Sequence, residues 1–204
     1  MWVAKIGGSL HAQAGLDDWL RGLCAERARR WLLVPGGGPY ADAVRAEQRR
    51  LGYDDAEAHA RAMLAMGRYG DALLRRIPAE RLDSLAACAE YARSARAGPG
   101  LWCPSRQDAA AFPELPMDWR VTSDSLAYAL ARYLQAEAVL LVKSVEPPAR
   151  VGARALAEGG WIDVWLPQLL AASAVPAYWT TVVGGQEKTD ESACCPRAMG
   201  RLFL

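Results

Sequence analysis

Apolar positions along this chain come in two rhythms, continuous runs and helical stripes, and the two alternate from the start. Trp2 to Ile6 is a short apolar run broken only by Lys5, and it stops at Gly7-Gly8-Ser9. Leu16, Trp19, Leu20 and Leu23 then recur at i, i+3, i+4 and i+7. That spacing predicts an amphipathic helix from Gly15 to about Arg30. Trp31 to Val34 shows no alternation, as expected of a strand buried on both faces of a parallel sheet. Pro35 ends it, Gly36, Gly37 and Gly38 follow, and from Tyr40 the positions Tyr40, Ala43 and Val44 return to one helical face. The order is βαβα, which predicts an α/β fold with a parallel sheet and right-handed crossovers.

The same two rhythms continue. Asp54 to Arg76 carries a broad apolar stripe that includes Ala58, Ala62, Tyr69 and Leu73, with His59 on it, and Pro78 closes it. Leu82 to Ala97 is alanine-rich and reads equally as strand or helix. Gly100 to Pro104 is a short apolar strand, with Ser105 and Arg106 in the loop beyond it. Ala109 to Trp119, with Pro113 and Pro116, reads as a surface loop or lid. Thr122 and Ser123 suit a helix N-cap, Asp124 suits its first turn, and Leu126, Leu130 and Leu134 continue the helix. Ala138 to Val142 is a strand that ends at Lys143-Ser144, followed by a stiff Glu146-Pro147-Pro148 loop. Trp161 to Leu170 predicts a short helix containing Asp163, and Ala177 to Val183 a strand that ends at Gly184-Gly185. Gln186 to Cys195 reads as a polar loop. Neither an internal repeat nor a dividing linker is visible, so residues 1–204 are expected to form a single domain.

Composition narrows the picture. With 52% hydrophobic and 23% charged residues, the chain has the makeup of a globular protein. A formal net charge of +1 gives no support for a nucleic-acid surface. No apolar run is long enough to span a bilayer, and no basic segment precedes an apolar one at the N-terminus, so neither a membrane partner nor a leader is expected. The five cysteines, Cys24, Cys88, Cys103, Cys194 and Cys195, are odd in number and form no C-x-x-C pair. They fit a reduced, cytoplasmic protein better than a disulfide scaffold or a zinc site.

The candidate chemistry sits at the strand ends. A glycine turn running into a helix N-terminus gathers N–H groups and positive potential, which suits a phosphate; the alternative is a turn that binds nothing. Two such junctions on the carboxyl edge of one sheet favour the phosphate reading, because open α/β sheets bind ligands there. Neither is a Walker A loop or a G-x-G-x-x-G fingerprint. Lys5, next to the first turn, needs a phosphate or a carboxylate partner if its ammonium is buried. Ser9 can cap or donate to a phosphate. His59 is open between a core histidine and an acid–base group. Taken alone, Ser123 and Asp124 require no more than a well-capped helix.

The stretches VAKIGGSL, VPGGGPYADAVR and WRVTSDSLAYALA together resemble the amino acid kinase family, which includes acetylglutamate, glutamate 5-, aspartate, uridylate and isopentenyl phosphate kinases. HARAMLAMGRYGDAL, WCPSR and TSDSL give the nearest resemblance to the branch that phosphorylates [5-(aminomethyl)furan-3-yl]methyl phosphate in methanofuran-type cofactor biosynthesis. The resemblance implies a three-layer α/β/α sandwich around a mainly parallel sheet, a homo-oligomer, and ATP and Mg²⁺ as cofactors. It implies that Lys5 neutralises the transferring phosphoryl group and that Gly7, Gly8 and Ser9 hold the nucleotide's phosphates. Gly36, Gly37 and Gly38 would face the acceptor, a small phosphorylated substrate. Asp124 would orient lysines or the metal, with Thr122 and Ser123 on the substrate side and Arg106 as a candidate for the acceptor phosphate. The chain departs from the family after the AVLLV strand, where Lys143-Ser144-Val145-Glu146-Pro147 replaces a TDVDG-like segment. Lys143 and Ser144 are then candidates for the nucleotide side, with a structural Lys143 as the alternative. Lys188 is a candidate second lysine. The replaced segment leaves a non-catalytic nucleotide- or anion-binding protein as the competing reading, beside a kinase of the same fold with another small acceptor.

Overall fold

Seven strands form one sheet in the order β3-β4-β2-β1-β5-β6-β7, in a computed structural model that describes residues 1–146, 151–182 and 200–201. They are β1 (Trp2–Ile6), β2 (Trp31–Pro35), β3 (Glu80–Leu82), β4 (Gly100–Trp102), β5 (Ala138–Lys143), β6 (Ala177–Thr181) and β7 (Gly200–Arg201). All neighbouring pairs are parallel except β6 with β7. The helices are α1 (Leu16–Ala25), α2 (Gly38–Leu51), α3 (Asp55–Leu74), α4 (Leu85–Arg93), α5 (Ser123–Tyr133), α6 (Ala153–Glu158) and α7 (Leu166–Ala171). They cover both faces of the sheet, so the architecture is the expected three-layer α/β/α sandwich with a mainly parallel sheet.

Strand parity divides the core. Val3 of β1, Leu32 and Val34 of β2, and Val139 and Leu141 of β5 face one layer, which contains α5 and α7. Ala4 and Ile6, Leu33, and Leu140 and Val142 face the other, which contains α1 and the C-terminal half of α3. Both faces of β1, β2 and β5 are buried, so these strands read as unbroken apolar runs. The crossover after β1 passes over one face and the crossover after β5 over the other. The carboxyl edge between these adjacent strands is therefore a topological switch point, where an open α/β sheet offers a crevice.

Several boundaries differ from the sequence expectation. The first helix starts after Gly15, in the left-handed conformation (φ 88°), and ends at Ala25 rather than near Arg30. The ambiguous alanine-rich stretch resolves into both elements: β3 ends at Leu82, and Ser84 caps α4 by accepting from the Ala87 N–H. Helix α6 lies where only a loop was expected on one side and nothing was assigned on the other. The stretch from Trp161 is irregular up to α7. Among the described residues, no helix is long and apolar enough to cross a membrane. Cys24, Cys88 and Cys103 are free thiols. The Pro147-Pro148 loop, Gly184-Gly185, the Gln186–Cys195 loop with its two cysteines, and Lys188 lie outside the described residues.

Candidate active site

Parity and register bring two lysines together. Lys5 follows Val3 by two residues, so it faces the α5 layer. On β5, Lys143 shares the parity of Val139 and Leu141 and faces the same layer. Lys5 pairs in register with Leu141, which puts Lys143 one pleat further along the adjacent strand. The N-terminus of α5 stands above both. Asp124, in its first turn, is 2% exposed and receives the two ammonium groups, Lys5 Nζ at 2.9 Å from Oδ1 and Lys143 Nζ at 2.6 Å from Oδ2. The first contact pairs charges without the alignment of a hydrogen bond. Lys143 also donates to the Trp161 carbonyl at 2.9 Å.

Electrostatics follow from this burial. Burial pushes the Lys5 pKa down to about 8, against the pull of Asp124, and the neighbouring Lys143 lowers it further. Burial alone would raise the Asp124 pKa, but Lys143 and Lys5 outweigh it and hold the carboxyl well below its ordinary range. Asp124 is therefore a fixed anion between two cations. The trio carries one net positive charge, facing the cavity.

The glycine turns form one unit with it. A Cβ on Gly8 would lie 2.3 Å from the Gly38 nitrogen, and one on Gly36 would lie 2.5 Å from the Gly8 nitrogen. The two turns thus pack backbone against backbone, closer than any side chain permits. Gly7 N–H donates to the Val142 carbonyl and Gly36 N–H to the Ile6 carbonyl, both at 2.8 Å, which ties the turns to the strand ends. Helix α2 begins at Gly38 with no side-chain cap and no acidic residue in its first turn. Its N-terminal N–H groups and positive dipole end are available to an anion.

A cavity of about 580 Å³ joins these parts. Lys5, Gly7, Gly8, Ser9, Gly37, Gly38, Thr122, Ser123, Asp124 and Lys143 line it. Gly36 does not line it but lies beneath, packed on Gly8. Ser144 lies outside it, its hydroxyl 2.9 Å from that of Ser9. Arg106 is not brought to the cavity. Both arms of its guanidinium bind Glu57, at 3.0 and 2.6 Å, on the exposed side of α3. Thr122 caps α5 as expected, accepting from the Asp124 N–H, and it donates its hydroxyl to Asp163.

Asp163 is the residue that sequence reasoning undervalued. It is 8% exposed and accepts from the Thr122 N–H (2.8 Å), the Ser125 N–H (2.9 Å), the Ser125 hydroxyl (2.5 Å) and the Leu166 N–H (2.9 Å). It therefore fixes the α5 N-terminus to the start of α7. Burial raises its pKa, the charge of Asp124 adds to this, and the donated hydrogen bonds oppose it. The available signal was a lone carboxylate among Trp161, Ile162, Val164 and Trp165. His59 is buried on the cavity wall, and desolvation lowers its pKa, so its neutral form is favoured. Arg45 and Trp119, assigned no role from the sequence, line the cavity as well.

The described carboxylates do not form a metal cage. Asp124 is taken up by two lysines and Asp163 by N–H and O–H donors. Among the described residues no cluster of three metal-ligating side chains occurs. In this geometry Asp124 holds the two lysines.

Comparison with known proteins adds the following. The amino acid kinase family model matches residues 1–147. No curated protein matches in sequence. Uridylate kinase from Archaeoglobus fulgidus is similar in structure, with a TM-score of 0.62 at 16% identity over 88% of this chain and 90% of that one. UMP kinase from Bacillus anthracis gives 0.62 at 11% identity, over 99% and 98%. Aspartate kinase from Clostridium acetobutylicum gives 0.59 at 13% identity, over 90% of this chain and 60% of that one. At these identities the structural likeness speaks for the fold.

Proposed function

The chain belongs to the amino acid kinase family, and from that premise we propose that it transfers the γ-phosphoryl group of ATP to a small phosphomonoester, giving a diphosphate and ADP. The acceptor we assign is [5-(aminomethyl)furan-3-yl]methyl phosphate, on the sequence resemblance described above. The observation that carries the reading is the pair of ammonium groups on one buried carboxylate, beside two interlocked glycine turns. Phosphoryl transfer asks a protein for positioning and charge neutralisation, with little covalent chemistry of its own.

In this reading an oxygen of the acceptor's phosphate attacks the γ-phosphorus while the bond to the β,γ-bridging oxygen breaks and its electrons leave with ADP. Lys5 and Lys143 neutralise charge on the transferring group, and the N–H groups of the glycine turns and of α2 hold phosphate oxygens. Asp124 keeps the two ammonium groups in place. With its pKa held so low between them, it is no proton acceptor. A phosphate acceptor requires none, since its second ionisation lies near pH 6 and the attacking oxygen is already unprotonated at neutral pH. Magnesium, when bound with the nucleotide, would supply further charge neutralisation on its phosphates.

The test is ADP release from Mg-ATP with a panel of small phosphomonoesters, among them the aminomethylfuran phosphate, for wild type and Lys5→Ala. Turnover with the furan, abolished by the substitution, is the expected result. A Lys5→Ala variant with full activity would sink the assigned mechanism. Absence of turnover with every phosphomonoester would sink the assignment of a phosphorylated acceptor.

A further inference from the structure

We propose that Arg45 anchors the acceptor's own phosphate and that Trp119 holds its guanidinium in position. This rests on the kinase reading and names the residue that selects a phosphorylated acceptor. Three features of the cavity lead to it.

First, Lys5 and Lys143 share Asp124 and are assigned above to the transferring group, whereas the guanidinium of Arg45 has only a weak partner. Its pair with Asp42, at 3.0 Å, joins side chains 39% and 73% exposed. Water screens such a pair, and a phosphate exchanges with it at little cost. Second, the guanidinium carbon lies 4.2 Å from the centre of the Trp119 ring. That ring is fixed by its Nε1–H, which donates to Gln48 Oε1 at 2.6 Å. Stacking holds the guanidinium plane while its N–H edge remains able to donate, the arrangement that grips a phosphate with two parallel bonds. Third, the direction is right. Arg45 follows Gly38 by two turns of α2, and a long helical side chain leans over the turn before it. The contact with Asp42, one turn earlier, shows that it does so. Arg45 thus leans toward the uncapped N-terminus of α2 and lines the same cavity as Lys5, Gly8, Gly37 and Gly38. A phosphate between Arg45 and that N-terminus receives donors from both. Met63, Met66 and Val121 line the same cavity and suit a small apolar body attached to that phosphate.

Arg106, the cation that the sequence offered for this task, is bound on both arms by Glu57 and serves as the control. The experiment titrates the full chain with benzyl phosphate and with benzyl alcohol by calorimetry, without nucleotide. Wild type is compared with Arg45→Ala, Arg45→Lys and Arg106→Ala. Expected is a loss of at least about tenfold in benzyl phosphate affinity for Arg45→Ala, of the order that one charge-assisted contact carries. Arg45→Lys should weaken it less, with Arg106→Ala and all benzyl alcohol titrations unchanged. Equal affinity in wild type and Arg45→Ala overturns the proposal. So does an equal loss in Arg106→Ala, or no binding to wild type. Because binding is read without turnover, failure of the ADP assay and failure of this proposal are separate results.

Discussion

Burial brings the Lys5 pKa to about 8, where a lysine in water titrates near 10.5. The consequence is visible in kinetics if the ammonium form stabilises the transferring group. In the free protein Lys5 loses its proton as pH rises through about 8, so kcat/KM should fall above that pH. Bound phosphates favour the ammonium, so the corresponding limb of kcat should lie at higher pH. A pH series of initial rates checks both, since kcat/KM reports the free protein and kcat the complex. A kcat/KM profile flat to pH 10 would remove Lys5 from the charge-neutralising role. Arg106 carries a different lesson at this scale. A strand followed by Ser-Arg invites a site assignment, yet Glu57, 49 residues earlier in the chain, takes the guanidinium on both arms.

Among the elements, the two glycine turns matter most, and their glycines serve different needs. Gly52 closes α2 at φ 72° with open space around it, so only its backbone angle favours glycine. Gly8 has no room, because a Cβ there meets the nitrogen and Cα of Gly38 at 2.3 and 2.7 Å. Gly8→Ala should therefore push the turns apart. We expect a loss of turnover on the order of 10²-fold, as for a displacement of about 1 Å at a reacting centre. The accompanying stability cost is about 1–3 kcal/mol, as for other overpacking substitutions. Gly52→Ala should cost about 1–2 kcal/mol through its left-handed backbone and leave turnover intact. Urea melts together with ADP release separate the two cases, and equal turnover loss in both would contradict the packing argument.

For the whole molecule, the buried trio couples folding to pH with opposite signs. The native pKa of Asp124 lies far below its unfolded value of 3.8, so its contribution is full above that value and is lost as pH falls through the native one. For Lys5 the native pKa lies below the unfolded one, so burying its charge is a penalty below about pH 8, relieved as pH rises towards 10.5. Asp124→Asn leaves the buried Lys5 and the half-buried Lys143 ammonium groups without their anion and should destabilise by about 3–5 kcal/mol at neutral pH. The difference in Tm from wild type should narrow in strong acid, where Asp124 itself is neutral, and again above pH 8. A difference independent of pH would show that the trio is not what holds the α5 N-terminus over the sheet.

The sequence by itself determined the elements whose burial is written in local pattern. The runs of β1, β2 and β5 are apolar on both faces, the stripes of α1 and α3 repeat at helical spacing, and Thr122 marks the start of α5. Two glycine junctions on one sheet edge, the first beside Lys5, marked that lysine and most of the glycines. Asp124 and Lys143 were marked only by the family resemblance, since taken alone they fit a helix first turn and a structural lysine. Alternation fixes which face of its own strand Lys5 or Lys143 occupies, but not which strand lies beside it. The register of β1 on β5, the choice of α5 as the helix above them, and hence the two lysines on Asp124 were decided by tertiary structure. The same holds for Asp163, whose partners at Thr122 and Ser125 lie 41 and 38 residues away, and for Arg45, which meets Trp119 only when the loop before α5 folds over α2. Long-range pairing depends on which surfaces bury each other best, and no local window of sequence contains that competition.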